Sequence, residues 1–234
     1  MNEPTSLYEA AKQESAQGRH VQAAELYRRV AEFADLGQKR ATFYLLAADS
    51  WLEAEAYNEA IADCRAAIQV DSKSAHAWRS LGSALIADQQ YRDAEDALRK
   101  SLQISPSATA CVYLADLCIQ DGRFSDAEEF CRQALALSPD FDEAYYNLGR
   151  VLQKRERFDE AIDAFQAAVE ISPDYAIAYR EIGASFLNKG ETMKAEQYIR
   201  KSLEIDAGDE KAIELLQRTL AHEKHLNGDR RRAK

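Results

Sequence analysis

Residues 142–175 read DEAYYNLGRVLQKRERFDEAIDAFQAAVEISPDY, two amphipathic stretches joined by a polar turn and closed by Ser172-Pro173. Tyr145, Leu148, Gly149 and Leu152 follow i, i+3, i+4, i+7, which is one face of a helix with a 3.6-residue period. Ala161, Phe165, Ala168 and Ile171 follow i, i+4, i+7, i+10 on the second stretch. Gly149 and Ala161 are the small members of the two stripes, so the helices are expected to approach most closely there. Neither helix hides its stripe alone, so the unit reads as a helical hairpin that needs neighbours.

The neighbours recur along the chain. The Ala161 position returns at Ala60, Ala94, Ala127 and Ala195, with steps of 34, 33, 34 and 34 residues. The Tyr145 position holds Tyr44, Trp78, Cys111 and Tyr179, and the Gly149 position holds Ala48, Gly82, Ala115 and Gly183. Pro173 is matched by Pro106 and Pro139. A helix–turn–helix unit of this length and pattern resembles the tetratricopeptide repeat (TPR) family, over roughly residues 4 to 209. The resemblance implies an all-α, superhelical solenoid of stacked antiparallel hairpins whose first helices line a concave groove.

The repeats are placed at about 4–37, 41–74, 75–107, 108–141, 142–175 and 176–209, with a capping helix over 209–225 and a solenoid spanning 4–225. About fourteen helices and no strand are expected. The first repeat is degenerate, with Ala23, Tyr27 and Val30 inward on its second helix. The step from Ala23 to Ala60 is 37, and the extra residues fall around Gly37-Gln38-Lys39-Arg40, so a longer second helix or a looser turn belongs there. Ala212, Ile213, Leu216 and Leu220 form the inner stripe of the cap, as terminal units of arrays require one solvated face. Residues 226–234, rich in arginine, read as a basic disordered tail.

A net charge of −10 opposes generic binding to a phosphate backbone, so nucleic acid is not an expected partner. RNA reading by helical repeats would further need a basic, base-reading groove. No apolar run approaches the roughly 20 residues that span a bilayer, and no basic-then-apolar leader is readable, so a cytoplasmic protein without a membrane partner is expected.

The chemistry-bearing residue types assemble no active site. Cys111, Cys118 and Cys131 sit at positions where other repeats carry Tyr, Trp, Leu or Phe, which makes them core filler rather than ligands. They lack C-x-x-C spacing. His222-Glu223-Lys224-His225 is one residue short of the i, i+4 pair of a zinc protease helix. No phosphate-cradling glycine loop and no nucleophile elbow occurs. The chain therefore reads as non-enzymatic, with no cofactor and no metal.

Function is expected on the first-helix face that the resemblance assigns to the groove. There Arg79, Tyr113, Tyr146, Asn147, Arg150 and Arg180 combine aromatic and guanidinium groups, the types enriched at binding hot spots. Other residues placed on that face are Leu45, Asp49, His76, Val112, Asp116, Ile119 and Ile177. Arg150 and Arg180 have no evident carboxylate partner in the sequence and are expected to face solvent, whereas Arg79 is a candidate to pair with Asp116. A protein or peptide segment, acidic or carbonyl-rich with an apolar anchor, is the expected partner. The alternatives are a self-assembling adaptor that forms homo-oligomers, or the regulatory partner of a separate enzyme. The lysine–asparagine clamp of TPR co-chaperones is matched only at Asn147.

Overall fold

The structure, a computed structural model, describes residues 3–33, 36–37 and 39–232, with 222–232 as backbone alone. The described residues hold thirteen helices and no strand. They are α1 (Glu3–Ala16), α2 (His20–Ala31), α3 (Lys39–Glu53), α4 (Tyr57–Val70), α5 (Ala75–Ala87), α6 (Tyr91–Ile104) and α7 (Ala108–Gln120), followed by α8 (Phe124–Leu137), α9 (Asp142–Lys154), α10 (Phe158–Ile171), α11 (Ala176–Asn188), α12 (Thr192–Ile205) and α13 (Glu210–Arg232). Six hairpins and one closing helix use all thirteen, so the expected fourteenth has no counterpart among the described residues. The chain divides into two compact units, Met1–Tyr113 and Leu114–Lys234, with the boundary inside α7.

Each first helix ends in the same backbone device. The N–H groups of Arg19, Ala56, Gln90, Arg123, Arg157 and Glu191 each reach back five residues, to the carbonyls of Glu14, Trp51, Leu85, Cys118, Leu152 and Phe186, at 2.8–2.9 Å. The residue before each donor is left-handed: Gly18, Glu55, Gln89, Gly122, Glu156 and Gly190, with φ from 57° to 77°. This closure satisfies carbonyls that a helix end otherwise leaves open, and it reverses the chain in a fixed direction. Three of the six positions carry a side chain where glycine is preferred, each at a cost of about 1 kcal/mol.

Close approach of paired helices sits where the small residues predict it. A Cβ on Gly149 would lie 2.6 Å from the Phe165 ring, one on Gly82 2.6 Å from Leu98 Cγ, and one on Gly183 2.5 Å from Ile199 Cγ1. Each large residue follows its glycine by 16 positions. The same offset from Ala48 and Ala115 reaches Cys64 and Cys131, both fully buried.

The stripes are wider than the sequence period suggests. In α9 the opposite edge, Ala144, Asn147 and Val151, is buried as well, because the helix packs on α8 of the preceding hairpin as well as on α10. Leu45, Val112 and Ile119, expected on the open face, are buried. Ile171, the last residue of α10, is 37 % exposed. In α13, Ala212 and Thr219 are buried against the preceding hairpin while Ile213 is 38 % exposed, so the inner stripe is rotated from the expected one. The α13 backbone continues to Arg232, over most of the stretch read as a tail; Lys234 lies outside the described residues, as do the side chains from His222 onward.

The long step near Gly37 does not come from a longer second helix. The second helix is shorter than its counterparts, ending at Ala31, and Arg40 Nε donates to the Ala31 carbonyl at 2.8 Å to close the gap. Gln38 lies outside the described residues. The joint between the first two hairpins is held by Arg28, whose guanidinium binds Asp63 through both Nε (2.9 Å) and Nη2 (3.0 Å) while Trp51 Nε1 donates to the same carboxylate at 3.0 Å.

Candidate functional site on the first helices

In the second unit the first-helix face is closed by its own charges. Arg150 Nη1 donates to Asp116 Oδ1 at 2.6 Å, one whole repeat back, and to Asn147 Oδ1 at 2.9 Å. Asn147 is therefore buried rather than presented. The Arg150 guanidinium also lies 5.8 Å from the centre of the Tyr146 ring, a cation–π distance. Tyr146 packs on Phe165 and Tyr175, with ring centroids 5.7 Å and 5.1 Å away. Burial pushes the Tyr146 phenol up, reinforced by Glu181 and Asp116 and opposed by Arg150 and Arg180, so all four charges surround this ring.

Arg180 is the larger departure from expectation. Its side chain is only 13 % exposed and is paired with Asp209 and with Glu181, the latter at 3.1 Å. Asp209 does double duty, because its Oδ1 accepts the backbone N–H groups of Lys211 (3.0 Å) and Ala212 (3.1 Å) at the start of α13. Burial acts to raise the Asp209 carboxyl, but the Ala212 N–H and Arg180 outweigh it and hold it below the usual carboxylate range. Arg180 thus fastens the closing helix. Arg150 and Arg180 have carboxylate partners after all, and reversing the charge of Arg180 would disturb the fold rather than a surface.

The first unit is different. Arg79 and His76 lie on α5, three residues apart, and Asp49 on α3 feels both. Protein packed around Asp49 pushes its carboxyl up, and His76 and Arg79 oppose the shift. Loss of water on its protein-facing side pushes the exposed His76 imidazole down, Arg79 adds to this, and Asp49 opposes. Among the described residues Arg79 makes no hydrogen bond and no ion pair within contact distance. Asp116, its expected partner, is taken by Arg150. Tyr113, half-buried on α7, also belongs to this unit.

The cysteines are buried, and burial, with Asp49 and Asp63 nearby, pushes the Cys64 thiol up to about 12. Burial raises Cys111 in the same direction. Such thiols are poor nucleophiles and poor ligands at neutral pH. The sequence reading missed the role of Asp209, although an aspartate just before an apolar periodic run is a recognisable helix start.

Models described as tetratricopeptide repeat match residues 45–109, 85–148 and 119–180, and together they span most of the hairpins. This chain is a tetratricopeptide repeat protein. Among solved structures it is similar to MamA, with 25% identity, a TM-score of 0.62, and coverage of 72% of this chain and 93% of that one. It is also similar to YrrB, described as a TPR protein with an unusual peptide-binding site, at 22% identity and TM-score 0.61 over 77% of this chain and 93% of that one. The Cut9–Hcn1 hetero-tetramer of the APC/C gives TM-score 0.79 at 17% identity, covering 93% of this TPR chain and 43% of that one. No curated protein matches this TPR chain in sequence. Among the described residues no helix is long and apolar enough to cross a membrane.

Proposed function

We propose that this TPR protein is a non-enzymatic scaffold that holds a segment of another protein along its first helices, with Arg79 as the polar anchor. The observation that carries the reading is the contrast among the three arginines of that face. Arg150 and Arg180 spend their donors on Asp116, Asn147, Glu181 and Asp209, whereas Arg79 keeps its own. A half-buried guanidinium with five N–H donors and no acceptor is a recognition group for a carboxylate or a peptide carbonyl. His76, one turn before it, adds a second donor, and Asp49 limits the charge the site will accept. Tyr113, in the same unit, supplies aromatic surface, while in the second unit Asn147, Arg150 and Arg180 are the framework that fixes Tyr146. The peptide-binding site named for YrrB makes a peptide the natural class of partner.

The test is selection of binders from a displayed peptide library on the wild-type protein, followed by titration of the selected peptides. Arg79→Glu should weaken them by at least tenfold while leaving the thermal midpoint in place. Peptides that bind Arg79→Glu as well as wild type would move the site elsewhere, and a selection yielding no saturable binder would sink the scaffold reading.

A further inference from the structure

A second group of arginines lies away from the first-helix face. Glu128, on α8 and 5 % exposed, is surrounded by three guanidiniums. Arg132, one turn along the same helix, reaches its Oε1 at 2.6 Å, and Arg157 from the turn before α10 binds both oxygens at 2.9 and 3.0 Å. Arg155, from the end of α9, pairs with Oε2. Burial acts to raise the Glu128 carboxyl, but Arg157, Arg132 and Arg155 together hold it below the usual range. One carboxylate offers about four acceptor sites, and these contacts fill them.

The donors are not exhausted in turn. Arg157 is spent, since its Nε and Nη2 also bind Glu160 at 2.7 and 2.5 Å. Arg132 and Arg155 each give one nitrogen to Glu128, and both line an open cleft of about 610 Å³. Ser125, Glu129, Gln133 and Ala136 also line it, with Gln133 Nε2 donating to Glu129 at 3.0 Å. Arg132 is 62 % exposed, so its fork is accessible while its partner is not.

We infer that this cleft binds an acidic segment of a protein partner, through carboxylates that take the remaining donors of Arg132 and Arg155. The size favours a chain segment over a single small anion, because a volume of this order accommodates several side chains. A nucleic acid is disfavoured because the chain as a whole carries a net charge of −10, which a long polyanion meets beyond the cleft whereas a short acidic segment meets only its lining. The site lies on the second helix of repeat four and the turn of repeat five, and it does not depend on Arg79.

The probe is a fluorescein-labelled octapeptide of alternating glutamate and alanine, with alternating glutamine and alanine as its control, titrated by anisotropy at low and at physiological salt. The glutamate peptide should bind saturably, weaken with salt, lose about tenfold in affinity in Arg132→Ala, and fail to bind Arg132→Glu. Arg155 and Arg157 are left in place because they join Glu128 to the next hairpin, and Arg79→Glu should bind the probe normally. Equal binding by wild type and Arg132→Glu, or none by wild type, overturns the proposal. Tighter binding of single-stranded DNA, or displacement of the peptide by millimolar orthophosphate alone, overturns the choice of a peptide.

Discussion

In repeat five a glycine hydrogen, at Gly149, faces the Phe165 ring, and in repeat two the same two positions hold Ala48 and Cys64. Both large positions are fully buried. An added methyl on the first helix goes with the loss of a ring on the second, and repeat four repeats the exchange with Ala115 and Cys131. In the second unit Gly183 with Ile199 follows repeat five instead, and Gly82 with Leu98 does so in the first. What the repeats share is a small residue on the first helix facing a buried side chain sixteen residues on, so neither member is interpretable alone. Cys64 and Cys131 are the complements of Ala48 and Ala115, which explains those two without any chemistry of sulfur.

The largest test of that comparison is truncation. Phe165→Ala should cost about 3–5 kcal/mol, whereas Cys64→Ala should cost about 1–2, because fewer buried atoms leave. Urea midpoints would check this, and equal losses would mean the two hairpins are not built on the same trade. Next in size, Gly149→Ala should cost about 1–3 kcal/mol by overpacking against the ring. In a Phe165→Cys background the same change should be nearly free, a coupling of at least about 1 kcal/mol. Strict additivity in this double-mutant cycle would break the pair rule. Smallest of all are the turns, where the two repeats agree: Glu55 and Glu156 are left-handed at φ 57° and 58°. Replacing either by glycine should raise stability by up to about 1 kcal/mol, judged by the thermal midpoint, and a loss in both would show that these side chains are holding something.

The fold was legible because its evidence is periodic. A step near 34 in small, aromatic and proline positions specifies hairpins without any knowledge of contacts, and the Gly149 slot was readable as a close approach. The candidate site was legible only as a face. Arg150 and Asp116 occupy the same slot of successive repeats, 34 residues apart, so a reading along the chain sees them as equivalents rather than partners. Arg180 finds Asp209 only because α13 folds back onto α11, which no local spacing announces. Periodicity also overreached at helix ends: Ile171 keeps the stripe's spacing but sits where the helix stops. Arginine supply was visible in the sequence, while acceptor supply depended on three-dimensional packing.

The closing helix has a consequence for how long such an array can be. α13 carries on the register of a first helix, with Ala212 buried where Ala144 and Ala178 are buried before it. Counting on from Gly183, the slot that would receive another second helix falls at Gln217, which is exposed. A glutamine there projects a long polar side chain where every hairpin after the first sets a glycine or an alanine. A second helix laid against α13 in the pattern of the hairpins would meet that side chain first. A designer wishing to append a seventh hairpin would begin by making that residue small.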